Sequence, residues 1–470
     1  MKQFIRRLLG FSLGPILGAV LSFVQIPIMT NLLSKAEYGR AGLFRNLLTE
    51  IPNFIYVGFD QAYTREYHRA DDKRRILQQS IFFPLVIGAL LLIGSSFFAK
   101  PLSYWLFKDE GYSYIIWIAG LWVLATIVER FLLLNIRMEE KALEYSRYTL
   151  LLKLLVFIVS VALVLLGVRD FRAVVFGMLF GQLLGDVWLF YKYRTFMDFR
   201  GFKADWPLMA QLFRFGFPLM LAVSLTSLLN SLDNIFLNQF STADDLGTYN
   251  ATRNIVNVIG ILKTSFASFW IPTAYRWYEE NKSIKHYKYI SDAVLFVLTG
   301  LFFGLLIFKK VIIMILGSKY YDAGFIIGLL SFPHIMYTLS ETTTLGIVFS
   351  RKTYLNIAVS LLAIIPSLVI NYTMTPTWGY RGAATASCIA YVMFYLARTY
   401  FSNRSGFGFS QYKQVISILL MLIASSINAF DIAHVEWITL GIGLVTLVVQ
   451  SSTIMTTLSI RNNPAEWDFS

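Results

Sequence analysis

L-L-G-F-S-L-G-P-I-L-G-A-V-L-S-F-V-Q-I-P-I-M-T-N-L-L, residues 8–33, runs 26 residues without a charged side chain. As a helix rising 1.5 Å per residue, it is long enough to cross the roughly 30 Å hydrocarbon core of a bilayer. Lys2, Arg6 and Arg7 precede it, but the stretch is too long for a signal-peptide core and reads as a retained first span. Working outward, apolar runs of spanning length recur at about 38–62, 79–99, 111–134, 146–167, 172–192, 211–238, 246–272, 290–308, 322–345, 354–375, 383–400, 412–429 and 434–456. The expected fold is all-α and polytopic, with about 14 transmembrane helices.

Composition agrees. Of 470 residues, 56% are hydrophobic and 15% charged, against about 25% charged in an average soluble protein. Lipid as solvent removes the problem of covering that much apolar surface. The net charge of +13 lies mostly in short connectors, so it reads as a topology signal and as attraction to anionic membrane lipids; no nucleic-acid partner is expected. With the N-terminus in the cytoplasm, cytoplasmic segments carry 26 of the 41 Lys and Arg residues and external ones 10. That bias expects an even number of spans and both termini cytoplasmic. The one cysteine, Cys388, excludes an intrachain disulfide and a cysteine metal site.

The chain repeats near its midpoint. R-L-L-G-F-S-L (Arg7–Leu13) parallels L-F-R-F-G-F-P-L (Leu212–Leu219), and S-K-A-E-Y-G (Ser34–Gly39) parallels T-A-D-D-L-G (Thr242–Gly247). Six residues beyond each loop, Arg45-Asn46 matches Arg253-Asn254. Six spans separate the copies, so both have the same orientation, which predicts two parallel six-helix lobes. The expected divisions are an N-lobe at 1–205, a C-lobe at 206–405, and a final helix pair with a tail at 406–470.

With N-L-L-S-K-A-E-Y-G (Asn31–Gly39), G-F-D-Q-A-Y-T-R-E-Y (Gly58–Tyr67), the basic D-D-K-R-R loop (Asp71–Arg75), R-F-G-F-P-L (Arg214–Leu219) and A-D-D-L-G-T-Y (Ala243–Tyr249), the chain resembles the polysaccharide transporter (O-antigen and capsule flippase) family. That family belongs to the superfamily of multidrug/oligosaccharidyl-lipid/polysaccharide exporters. The resemblance implies two lobes around a central cavity plus a final helix pair, alternating access, and a bacterial cytoplasmic-membrane location. It implies a polyprenyl-diphosphate-linked oligosaccharide as substrate, polysaccharide polymerase machinery as a partner, and no bond-making chemistry.

Polar residues inside the spans then nominate a site. In span 2, Arg45, Thr49, Asn53, Tyr56 and Asp60 recur at spacings of three or four, as do Asn250, Arg253, Asn257, Gly260, Thr264 and Ser268 in span 8. Such a stripe marks one helix face, which at membrane depth must point at protein or water. Arg45 and Arg253 are candidates to hold a diphosphate, since guanidinium stays charged and meets phosphate oxygens in a bidentate fork. The alternative is a structural bridge, Arg45 with Glu50 or Arg253 with Asp233. Lys263 is a further cavity cation, or else the partner of an acid on the next helix. Asn53, Asn257, Ser231 and Gln25 are expected to bond sugar or to join helices. Asp60 and Arg65 are a candidate gate contact.

Glu50, Asp60, Glu129, Asp186, Asp233, Asp292 and Glu341 are the acids in or near spans. Any of them could couple transport to a proton or sodium gradient, or bridge a base; Glu129-Arg130 reads as self-compensating. Pro15, Pro27, Pro218, Pro272, Pro333 and Pro366 lie in or at the ends of spans, and bends are expected in spans 1 and 7. His334 reads as a packed polar residue. No phosphate-binding glycine loop, metal-ligand cluster or Ser/His/Asp set is present, so no catalytic residue, metal or cofactor is expected. The alternatives to a flippase for polymer repeat units are a multidrug/cation antiporter of the same superfamily and a lipid II flippase. A glycan polymerase or ligase would be expected to use a sizeable external loop with acid/base residues, and the connectors are short.

Overall fold

The computed structural model describes residues 2–462 except 351, 353, 431 and 433. The side chains of Pro15, Thr264, Ser268 and Pro272 lie outside the described ones. Among the described residues every regular element is helical. Two compact units divide the chain, 1–238 and 239–470.

The first unit holds α1 (Lys2–Leu32), α2 (Lys35–Ile55), α3 (Phe59–Glu66), α4 (Lys73–Phe97), α5 (Ala99–Phe107), α6 (Ser113–Met138), α7 (Ala142–Leu165) and α8 (Arg172–Lys192). It also takes α9 (Trp206–Phe240) as far as Asn238. The second unit follows with α10 (Ala243–Val256), α11 (Ile259–Glu279), α12 (Ile284–Ile307), α13 (Lys309–Leu316), α14 (Ala323–Thr343), α15 (Leu345–Phe349), α16 (Leu355–Trp378) and α17 (Tyr380–Arg404). It ends with α18 (Tyr412–Ala429), α19 (Val435–Val449) and α20 (Ser451–Asn462).

The repeat read from sequence is a repeat of elements. Long helix, broken helix, long helix with a short appended one, long helix and hairpin occur from α1 to α8 and again from α9 to α17. Ser34 caps α2 by accepting the Glu37 N–H at 3.2 Å, and Thr242 caps α10 by accepting the Asp245 N–H at 3.1 Å. The carboxylates at these matching positions both seat the last helix of their copy. Glu37 accepts the Phe171 N–H at 2.8 Å just before α8, and Asp245 lies against Gly379, which caps α17.

Among the described residues nine helices are individually long and apolar enough to cross a membrane, and α19 with α20, bent by 47°, makes a tenth. The other expected runs fall on α1 and on the charge-bearing α2/α3, α10/α11 and α17. Both α1 and α9 continue as helices through their prolines, whereas span 2 breaks between Ile55 and Phe59, shortly after Pro52, and span 8 between Val256 and Ile259. Val57 (φ 48) and Gly58 (φ 74) are consecutive left-handed residues, which end α2 abruptly.

Close packing is set by small residues. Gly177, Gly181 and Gly185 form one stripe of α8 against α7. A Cβ on Gly181 would lie 2.6 Å from the Val156 Cα. In the second unit Gly382, Ala386 and Ala390 occupy one face of α17, and Gly382 meets the α16 backbone at Met374. A buried aromatic cluster of Trp270, Trp277 and Tyr287 supports α11. The final pair is stitched to the rest of the second unit by polar side chains. Lys413 pairs with Asp292 at 2.7 Å, Gln414 donates to Asp292 and Ser291, Gln450 donates to Thr299 and Ser417, and Lys309 donates to Asn428 at 2.8 Å.

Candidate functional site

The first unit holds an open-sided cavity of about 450 Å³, within the range of small-molecule pockets. Its wall takes Gln25 from α1, Arg45, Thr49 and Asn53 from α2, Trp122, Glu129 and Arg130 from α6, Lys153 from α7 and Gln182 from α8. Three of the residues nominated from sequence, Gln25, Arg45 and Asn53, therefore share one chamber. The helix period places Arg45, Thr49 and Asn53 on the same face of α2. Lys153 lies within electrostatic reach of both Arg45 and Glu129.

The chamber's polar wall continues onto α9. Asn53 donates to Ser227 Oγ at 2.9 Å and to Glu50 at 3.3 Å, and Asn230 donates to Glu50 at 3.4 Å. The polar face of span 2 thus bonds to Ser227 and Asn230 of span 7 here. Ser231 and Asp233 are buried on the same helix.

Two pairings differ from expectation. Asp60 bonds Arg130 at 2.8 Å, not Arg65. Five residues along a helix is a rotation of about 140°, so Asp60 and Arg65 leave α3 on opposing sides. Arg65 lies 3.6 Å from Glu66 and 4.2 Å over the Phe215 ring. For the same reason Glu129 and Arg130, about 100° apart on α6, do not compensate each other. Arg130 turns to Asp60, and Glu129 accepts a hydrogen bond from Gln182.

In the second unit Arg253, Asn257 and Lys263 lie around His334. His334 Nε2 is 2.9 Å from Asn257 Oδ1, and Lys263 and Arg253 are both within electrostatic reach of the imidazole. Lys263 Nζ sits 3.4 Å from the centre of the Tyr337 ring, a cation–π contact. Nη1 of Arg253 is buried with no hydrogen-bond partner among the described residues. Glu341 bonds Arg398 at 2.8 Å, so this acid has an ordinary bridging partner, as Asp292 has in Lys413.

Sequence reasoning missed Trp122, Lys153 and Gln182 as lining residues. Lys153 was visible as a lone cation inside an apolar run. Gln182 and Asp186, four apart, mark one face of α8.

The sequence profile of polysaccharide biosynthesis proteins matches residues 8–277, more than half of the chain. The chain belongs to the polysaccharide biosynthesis protein family. This is the family relationship expected from the loop and repeat motifs. The capsular polysaccharide biosynthesis protein CapF of Staphylococcus aureus is 21% identical over 201 residues, 41% of this chain and 50% of CapF, so the match spans half the length of that relative. Among solved structures, the lipid II flippase MurJ in an inward closed conformation has a TM-score of 0.70 at 14% identity, covering 95% of this chain and 99% of MurJ. A MATE-family multidrug resistance transporter of the MOP superfamily, inward-facing, gives 0.58 at 14% identity, covering 85% and 97%. An outward-facing conformation of such a transporter gives 0.53 at 12%, covering 85% and 94%. This member of the polysaccharide biosynthesis family is thus a multi-pass membrane protein with the fold of these flippases and transporters.

Proposed function

We propose that the protein is a flippase. It moves a polyprenyl-diphosphate-linked oligosaccharide repeat unit from the cytoplasmic to the outer leaflet of the bacterial inner membrane, for cell-surface polysaccharide assembly. The observation that carries this reading is the first unit's chamber, where Arg45 and Lys153 stand beside Gln25, Asn53 and Trp122. Guanidinium and ammonium suit a diphosphate, and the amides and the indole N–H suit sugar hydroxyls. In the second unit Arg253, Lys263 and Asn257 supply the same chemistry. The polyprenyl tail stays in lipid, no bond is made or broken, and alternating access of the two units re-exposes the head group. Both termini are cytoplasmic, and polymerase machinery consumes the flipped unit.

A deletion strain tests it. Lipid-linked repeat units accumulate on the cytoplasmic leaflet, the wild-type gene restores export, and Arg45→Ala and Arg253→Ala each fail to do so at unchanged expression. Wild-type export from both variants refutes the diphosphate site. The fold likeness to a lipid II flippase gives a second reading. Accumulation of the peptidoglycan precursor in place of the polymer repeat unit would establish it.

A further inference from the structure

The chamber of the first unit is richer in donors than in acceptors. On the face of α6 that lines it, Thr126 and Glu129 already accept from Gln182. Trp122 and Arg130 lie on the same face, and the Trp122 Nε1 and the Arg130 Nε are each buried with no acceptor among the described residues. Trp122 as a whole is 4% exposed. An indole N–H can only donate, and leaving it buried and unpaired is costly. An acceptor brought by the chamber's occupant relieves that cost.

The surroundings select the kind of acceptor. Helix α1 ends, and α2, α6 and α8 begin, at one end of the unit. There Glu37 of α2 accepts the Phe171 N–H just before α8, and the Tyr112 ring just before α6 lies 4.9 Å from the Phe171 ring. Ile26 and Met29 of α1 and Val174 and Met178 of α8 line the chamber within roughly 10 Å of that end at 1.5 Å per residue. Trp122 and Arg45 follow at roughly 14–15 Å. Trp122 therefore stands where an apolar end meets a polar floor, at the depth of Arg45. With a phosphate on Arg45, a neutral carbonyl carrying a methyl group fits beside Trp122, whereas a carboxylate would give up its hydration against hydrocarbon.

We propose that Trp122 is a specificity-determining residue of the chamber: its indole N–H donates to the acyl carbonyl of an N-acetylated sugar, with the acyl methyl group toward Val174 and Met178. This rests on the flippase reading above, in which Arg45 holds the phosphate on the sugar's anomeric carbon. In a 2-acetamido sugar the acyl group and that phosphate are carried by adjacent ring carbons, in keeping with two donors at one depth. A sugar with a plain hydroxyl at that carbon leaves the N–H without its carbonyl and the apolar end unfilled, and a site built to bond a group discriminates against the analogue lacking it.

The test is calorimetric titration of the full chain in lipid nanodiscs with N-acetylglucosamine 1-phosphate, glucose 1-phosphate and glucuronic acid 1-phosphate. The wild type binds the N-acetyl probe about tenfold more tightly than the glucose probe, the worth of one net hydrogen bond. Trp122→Phe, which keeps an aromatic ring and removes the N–H, loses that preference. Met178→Phe, which fills the apolar end, loses it too, so the outcome does not hang on one variant folding. Equal binding of the two probes by the wild type, binding of neither, or a preference that survives in either variant overturns the proposal. A wild-type preference for the glucuronic acid probe overturns the acyl assignment. Arg45→Ala separates this site from the phosphate site: lower affinity for all three probes with the N-acetyl preference kept supports both, and unchanged affinity refutes the diphosphate reading while the preference set by Trp122 stands.

Discussion

Substituting Gly58 with alanine tests the break in span 2 directly. An added Cβ would lie 2.0 Å from the Gly216 carbonyl oxygen and 2.6 Å from its Cα. Real Cβ contacts essentially never fall below 3.0 Å, so the backbones at Gly58 and Gly216 must part by about 1 Å. No side-chain end can swing aside, because both contacting groups are backbone. Forcing atoms into a packed interior costs typically about 1–3 kcal/mol, and a left-handed non-glycine residue costs a further 1–2 kcal/mol or so. Gly58→Ala is therefore expected to destabilise the first unit by roughly 2–5 kcal/mol. The assay is the melting midpoint of purified protein in detergent, followed by size-exclusion chromatography after heating. Gly94→Ala is the control, since nothing lies within 4 Å of its added Cβ, and it should melt with the wild type or slightly above. Gly58→Ala melting with that control would falsify the backbone contact.

Gly181→Val should lower stability comparably by prising α8 from α7, where the Val156 backbone lies 2.6 Å from the glycine's would-be Cβ; an unchanged melt refutes the contact. Lys413→Met strands Asp292, buried at 7% side-chain exposure, and should cost about 3–5 kcal/mol. Lys413→Met combined with Asp292→Leu should recover most of that loss, and a double variant as unstable as the single one rules the pair out. Asp60→Asn should weaken the tie between α3 and α6, and in a double-mutant cycle with Arg130→Met the two should couple by about 0.5–3 kcal/mol; simple additivity opposes the pairing. Cys388 is buried, so a cysteine introduced near either terminus reports topology. Resistance to a membrane-impermeant maleimide in intact cells is expected, and ready labelling reverses the orientation.

How much of this was legible in the sequence depends on the range of the interaction. Hydropathy places the helices because lipid imposes a length on each apolar run. The loops at Ser34 and Thr242 announce their caps because a cap is settled within four residues. Arg45 and Asn53 were legible as one helix face, and that face lines the chamber. Pairings between helices were not. Asp60 finds Arg130 across 70 positions, and nothing local to span 2 marks that partner. The breaks of spans 2 and 8 were not legible either. Val57 and Gly58 end α2 through left-handed backbone, a conformation that composition does not announce at a valine. Glu129 and Arg130 looked mutually neutral because they are adjacent, and adjacency on a helix means diverging directions.

The polar stitching of the last two helices bears on how dispensable they are. They lie beyond the duplicated scaffold, which invites the view of a removable appendage. Without them, however, Asp292 and Thr299 would confront hydrocarbon in place of Lys413, Gln414 and Gln450. A shortened chain ending near residue 405 would expose a seam of orphaned hydrogen-bonding groups to the acyl chains, so the pair became obligatory once its partners had adapted to it.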